Sequence, residues 1–182
     1  MIHPATLLEG SKVRLRPVGA ADLDRVMDWI NDPSVTQFLA LGRAPVTREE
    51  EKQWLEERPA NERRLTIETL AGEYLGAAGL HAIDFIDRNA EVGMVIASEK
   101  NWGKGYGRES LRLLVGFAFR SLNLHRLYLR VYAYNDRALR LYDRAGFARE
   151  GTDRDAHFFG GRWHDVIRMG LLVTDERLTP RE

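Results

Sequence analysis

The chain contains no cysteine. Disulfide staples, thiolate nucleophiles and cysteine-ligated metals are excluded, and the absence is compatible with a reducing compartment. Neither sign of charge is in excess, with 27 Lys and Arg against 27 Asp and Glu, so no basic field exists to hold nucleic acid or an anionic membrane. Long apolar runs are missing too: the longest, around Leu113 and Phe119, falls far short of the ~20 residues a membrane-spanning helix needs. Met1-Ile2-His3-Pro4 is not a basic segment leading into an apolar one, so it does not read as a secretory leader. These absences point to a cytoplasmic protein without nucleic-acid or membrane partners. No repeat, low-complexity tract or linker interrupts the 182 residues, which suit one domain over 1–182 with 174–182 free to fray.

What stands out is Trp102-Gly103-Lys104-Gly105-Tyr106-Gly107, between an apolar run at 92–96 and a helical stripe at 108–122. A glycine-rich turn opening a helix directs unpaired N–H groups and the positive end of the helix dipole at one point, where a phosphate fits. The competing reading is a tight turn whose glycines serve geometry alone. Position 108 is arginine and no Lys-Ser/Thr follows, so neither the dinucleotide fingerprint nor a Walker A loop is present. This counts against a nucleotide-binding enzyme.

Around this turn the hydrophobic periods lay out the rest. Val13 and Leu15 alternate with charged neighbours as a short strand, and Leu23, Val26, Met27 and Ile30 mark a helix that Asn31-Asp32-Pro33 stops. Residues 34–45 read as loop, and Thr47 with Glu50 forms a capping box for a second helix. Strands follow at 65–69, 74–80 and 90–97, then the helix 108–122, with Arg108, Glu109, Arg112 and Arg120 on its solvent side. Leu127, Leu129 and Val131 alternate in a fifth strand; Asn135 caps a further helix that Gly146 ends. Gly160-Gly161 turns the final hairpin of 149–158 and 163–173, which places His157 opposite His164. The fold class is therefore α+β, a mixed, mostly antiparallel seven-stranded sheet flanked by helices in the order βααβββαβαββ.

The glycine turn followed by Asn135-Asp136-Arg137-Ala138-Leu139-Arg140-Leu141-Tyr142 and by Gly146-Phe147 resembles the GNAT superfamily of acyl-CoA-dependent N-acyltransferases, along nearly the whole chain. The family's pyrophosphate loop, Gln/Arg-x-x-Gly-x-Gly/Ala, maps onto Trp102, Gly105 and Gly107, with Trp102 departing from the first position. Residues 13–17, 90–93 and 163–165 look most like the branch of ribosomal-protein N-terminal acetyltransferases (RimJ/RimL-like), a branch whose members also act on other amines.

The resemblance implies acetyl-CoA as cosubstrate and direct attack by a primary amine in a ternary complex. Cofactor contacts fall on Trp102, Gly103, Lys104, Gly105, Tyr106, Gly107 and Asn135, while Val95, Ile96 and Ala97 would pair with the pantetheine arm where the fourth and fifth strands splay. Tyr142 takes the place of the thiol-facing tyrosine, although it also fits an apolar stripe with Ala138, Leu141 and Ala145. Glu91 falls where some members carry a glutamate base, although a charge at a strand start is commonly solvent-facing. His157 and His164 lack a third ligand at useful spacing, so no metal is expected, and His81 reads as a loop residue near the substrate cleft. The acceptor stays open among a peptide N-terminus, a polyamine, an aminoglycoside and a small metabolite; a homodimer is an open option. The rival reading is a non-catalytic acyl-CoA-binding module of the same fold.

Overall fold

A computed structural model describes residues 8–39 and 44–175. In chain order these form β1 (Leu8–Glu9), β2 (Val13–Pro17), α1 (Leu23–Met27), α2 (Pro33–Thr36), α3 (Arg48–Glu56), β3 (Arg63–Thr69), β4 (Tyr74–Asp84), β5 (Asn89–Ile96), α4 (Tyr106–Gly116), β6 (Arg126–Tyr132), α5 (Asp136–Ala145), β7 (Ala148–Phe159) and β8 (Arg162–Leu172). The strands make a single sheet in the order β1-β2-β3-β4-β5-β6-β8-β7. Each neighbouring pair is antiparallel except β5 and β6, which run parallel. The sheet thus has eight strands rather than seven: Leu8 and Glu9 fold back onto Leu15 and Arg14, a pairing too short to leave a period in the sequence.

Two local expectations need correction. Asn31-Asp32-Pro33 does end the first helical stretch, but it also starts α2, because Asp32 accepts from the Ser34 N–H at 2.9 Å and Pro33 occupies the first helical turn. A proline without an N–H costs nothing there, and its fixed φ suits a helix start. The supposed loop 34–45 therefore opens as helix; residues 40–43 lie outside the described residues, as do 176–182 of the expected tail. Glu109 does not face solvent either. It accepts hydrogen bonds from Ser11 N, Ser11 Oγ, Lys12 N and Val13 N at 2.9, 2.7, 2.7 and 3.0 Å, pinning the β1–β2 turn to the first turn of α4. Burial alone pushes the Glu109 carboxyl up, but these four donors outweigh it and hold it below its ordinary value.

Other local signals hold. Thr47 and Glu50 form the reciprocal cap of α3, and Gly146 takes φ 98° as the left-handed C-cap of α5. Gly160 and Gly161 at φ 58° and 80° turn the hairpin that sets His157 against His164. Among the described residues no group of three or more His, Cys, Asp or Glu stands where it could hold a metal ion, and no helix is long and apolar enough to cross a membrane.

The alternation of strand side chains divides the interior in two. On one face Leu15, Ile67, Leu80, Leu127 and Met169 pack with Leu111, Leu114 and Val115 of α4 and with Leu139 and Tyr142 of α5. On the other, α1 to α3 and the turn after α1 cover the sheet through Trp29, Ile30 and Val35 packed near Tyr74, Val95 and Ala97, and through Leu23 and Leu55 with Trp54. Beneath this second layer Asp22 is 1 % exposed, held by Arg16 Nη1 and Nη2 at 2.9 and 2.6 Å, the Gly19 N–H at 3.0 Å and the Thr66 hydroxyl at 2.9 Å. A carboxylate at that depth is tolerated because these four donors satisfy both of its oxygens.

Candidate acetyl-transfer site

The site begins with a break in the sheet. β5 and β6 pair through Asn89 with Arg126, Ala90 with Leu127 and Glu91 with Tyr128, and then separate. Beyond that point the two strands lean on their other neighbours, β5 on β4 and β6 on β8. Opposite the gap, Gly76 at φ 149° lies so close to β5 that a Cβ would sit 2.1 Å from the Val95 carbonyl oxygen, so a side chain at 76 would force the strands apart.

Backbone groups of successive strand residues point to opposite edges. Ala97 N–H donates to Leu75 O at 2.9 Å and the Val95 carbonyl abuts Gly76, so Val95 and Ala97 direct their amides into β4. Ile96 and Met94 face the gap. Of the three residues expected to meet the pantetheine arm, Ile96 alone has its N–H on the open edge, and Met94, which the sequence reading did not single out, has the other.

The glycine turn lies at the end of β5. Gly103 and Gly105 adopt φ 74° and 88°, the left-handed region that disfavours side chains. Gly105 is the N-cap of α4, and the Glu109 N–H is the amide that returns to its carbonyl, at 3.1 Å. The N–H groups of Tyr106, Gly107 and Arg108 consequently have no helical acceptor and project from the positive end of α4. A Cβ on Gly107 would meet Met94, Ile96 and Leu141 at 3.7 to 3.8 Å, ordinary contact, so that glycine is a matter of close approach rather than strain. Lys104 Nζ reaches Asn101 Oδ1 at 3.3 Å, and Lys12 Nζ donates to Lys104 O at 3.0 Å, bringing a positive charge from the β1–β2 turn to the glycine turn.

Trp102 does not offer its N–H to the cleft; Nε1 donates to Ile96 O at 3.1 Å. Its ring carries the Arg137 guanidinium, 3.1 Å from the centroid, and Phe38 meets its edge. Burial lowers the Arg137 pKa, with Arg140 adding to the effect, and among the described residues Arg137 makes no salt bridge.

Asn135 caps α5 by accepting from Ala138 N–H at 3.2 Å. Two turns on, Tyr142 is 7 % exposed and packs edge-on against Phe147 at 5.6 Å. Its hydroxyl has no hydrogen-bond partner among the described residues, and burial pushes its pKa up to about 12. Glu91, on the opposite face, is held by Arg130 Nε at 3.1 Å and stands across from His81. His81 therefore belongs to β4 and not to a loop, with Nδ1 3.6 Å from Glu62 Oε2.

One cleft of about 1210 Å³ touches all these groups: Glu91, Val95 and Arg130 from one face, Tyr142, Leu111 and Gly107 from the other, with Asn135 and Trp102 at its end. It can reach both faces because the sheet is open between β5 and β6. Glu51 lines it as well. The sequence reading passed over Glu51 inside an acidic run, although its spacing to Trp54 and Leu55 places it on the buried stripe of α3.

A slot through a sheet, with bare amides along one edge and a helix start at its mouth, has the shape and the donors that an extended acyl thioester carrying phosphates requires. The chain belongs to the GNAT family: the family described as Acetyltransferase (GNAT) domain matches residues 12–148. It is 32% identical over 163 residues to the spermidine N(1)-acetyltransferase of Escherichia coli K12, covering 88% of this chain and 86% of that protein. With the Vibrio cholerae spermidine N(1)-acetyltransferase it shares 38% identity over 111 residues, 61% of this chain and 64% of the relative. The crystal structure of a Vibrio cholerae spermidine N-acetyltransferase in complex with CoA and spermine superposes with a TM-score of 0.85 at 28% identity, covering 91% of this chain and 98% of that one. The protein is thus an N-acetyltransferase that uses acetyl-CoA and a primary amine, and the non-catalytic alternative falls away. The ribosomal-protein branch is represented by YdaF of Bacillus subtilis, provisionally named a ribosomal N-acetyltransferase, at 35% identity over 101 residues, 56% of this chain and 55% of YdaF.

Proposed function

We propose that the protein acetylates a primary amine of a polyamine, and that the opening between β5 and β6 is where acetyl-CoA and amine meet. The observation that carries the reading is that opening, with free amides on one edge and the unpartnered Tyr142 hydroxyl on the α5 side. The resemblance to spermidine acetyltransferases supports a polyamine over the peptide N-terminus that the ribosomal-protein branch would suggest. The cytoplasmic location expected from the sequence is part of the same reading.

In this scheme the N–H groups of Tyr106, Gly107 and Arg108 bind the pyrophosphate. Met94 and Ile96 pair with the pantetheine arm, and one of their N–H groups receives the charge that develops on the thioester carbonyl oxygen. The neutral amine attacks that carbon, the C–S bond breaks, and the sulfur leaves under a hydrogen bond from Tyr142. Glu91, on the acceptor side and oriented by Arg130, draws the ammonium and takes its proton through water.

The test is thiol release from acetyl-CoA over a panel of polyamines, monoamines, an aminoglycoside and a peptide with a free N-terminus. The highest kcat/KM is expected for a polyamine. Preference for the peptide α-amine would overturn the substrate assignment in favour of the ribosomal-protein branch.

A further inference from the structure

Glu51 belongs to a run of three glutamates, yet it differs from both companions. Glu49 and Glu50 are exposed, whereas Glu51 is 6 % exposed. Among the described residues its carboxylate accepts no hydrogen bond and forms no salt bridge. The cation that influences it is Arg64, whose guanidinium is already committed: Nε donates to Glu62 Oε2 at 2.6 Å, Nη1 donates to Trp54 O, and the group stacks on the Trp54 ring at 4.1 Å. Burial pushes the Glu51 carboxyl up and Arg64 reverses only part of that. Buried carboxylates are ordinarily paired, and this one is not.

The same cleft carries aromatic rings. Glu51 lines the cleft together with Trp29, Trp54 and Tyr74; Trp29 Nε1 donates to the Tyr74 hydroxyl at 3.2 Å, fixing both rings. Aromatic faces beside a carboxylate favour an ammonium with an aliphatic chain, the faces taking both the charge and the methylenes. The position is informative too. Arg64 and Tyr74, which line the same cleft as Glu51, lie on β3 and β4, so the cleft runs from there across β5 to the reacting gap, at least two strand spacings or roughly 10 Å. A ligand that touches both points is an extended aliphatic dication.

We propose that Glu51, on the cleft lining it shares with Trp29, Trp54 and Tyr74, is a subsite for the second, non-reacting ammonium of a diamine or polyamine whose other amine is acetylated. This rests on the polyamine reading of the cleft and adds what in the chain selects a polycation over a monoamine.

The experiment compares putrescine with n-butylamine, which differ by one ammonium on the same carbon chain. Binding of each to the CoA-loaded protein is measured by calorimetry, and acetylation by thiol release, for the wild type and Glu51→Gln. The wild type is expected to bind putrescine at least tenfold more tightly than butylamine, and Glu51→Gln to bring that ratio close to one, with the loss in KM rather than kcat. Glu51→Met, uncharged and of similar volume, reads the same ratio should the amide variant fold poorly. A wild-type ratio near one, or a ratio that survives both substitutions, overturns the subsite even where putrescine is acetylated. If putrescine binding depends on Glu51 while turnover occurs with a different class of amine, the subsite stands and the polyamine acceptor reading falls.

Discussion

The Trp102 indole supports the Arg137 guanidinium at 3.1 Å while its Nε1–H holds Ile96 O at 3.1 Å. One side chain thereby joins the glycine turn, the end of β5 and the start of α5. The family pattern has Gln or Arg at this position; here the cation comes from α5 and rests on an aromatic platform. Trp102→Ala removes a cation–π contact of about 0.5–2 kcal/mol and one hydrogen bond. Acetyl-CoA affinity is expected to fall roughly tenfold, the equivalent of about 1.4 kcal/mol, with a lower Tm. Calorimetry with CoA checks it, and an unchanged Kd would show that Trp102 has no part in shaping the cofactor end.

Gly105 sits at φ 88° with Lys12 Nζ 3.3 Å from where a Cβ would be. Gly105→Val forces a β-branched residue into the left-handed region, at a cost of about 1–3 kcal/mol, and obstructs the amides of the turn. Acetyl-CoA binding should weaken at least tenfold in a variant that circular dichroism shows to be folded. Retained affinity would separate the turn from the pyrophosphate.

Tyr142 is raised to about 12 by burial. Against a thiol near 8.5, complete proton transfer from Tyr142 to the departing thiolate is uphill by roughly 5 kcal/mol. The tyrosine therefore acts as a hydrogen-bond donor. Tyr142→Phe should reduce kcat about 10²-fold, the low end for acid catalysis, with the Kd for acetyl-CoA nearly unchanged. Because the hydroxyl stays protonated until pH approaches its raised value, the wild-type rate profile should show no alkaline limb from this group below about pH 11. Wild-type turnover in the variant would leave Tyr142 a packing residue.

Glu91 is oriented by Arg130 and lines the cleft, where its carboxyl group faces an incoming amine. A lysine-type amine near 10.4 must spend about 4.6 kcal/mol to become neutral at pH 7, and an α-amine near 7.8 about 1.1. Glu91→Gln is expected to cut kcat/KM strongly for an alkylamine and weakly for an α-amine, with partial rescue as pH rises. Superimposable pH profiles for the two proteins would remove Glu91 from the mechanism.

Glu51 also governs stability. Burial raises its carboxyl, so the folded chain holds that proton to higher pH than the unfolded chain. The stability it contributes is full below the ordinary carboxylate value and is lost as pH rises through the raised one. Glu51→Gln should therefore be the more stable protein at pH 7, by about 1 kcal/mol or roughly 2–4 °C in Tm, with the difference vanishing near pH 4. Thermal melts at both pH values decide; a variant less stable than wild type at pH 7 would show that the carboxylate has a stabilising partner.

Much of this architecture is written in stretches a few residues long. The Thr47–Glu50 cap, the Asn135 and Gly146 ends of α5, the Gly160-Gly161 turn with His157 facing His164, and the glycine turn before α4 depend on neighbours along the chain, and their residue types declare them. Tyr142 and Glu91 could be placed on their elements for the same reason. Folding alone settled where polar side chains on those elements end up. Glu109 has the period of a solvent-facing residue, yet it meets the β1–β2 turn, nearly a hundred positions earlier; Glu51 sits on the buried stripe of α3 without a mate; Trp102 finds Arg137 across the mouth of the cleft. Whether Val95 or Met94 presents its amide to the gap is likewise undetermined by periodicity, which assigns side chains to faces but leaves open which edge of β5 is unpaired. That edge is free because Gly76 lets β4 draw β5 close while β8 holds β6, and such a competition between strands exists only once all four are assembled.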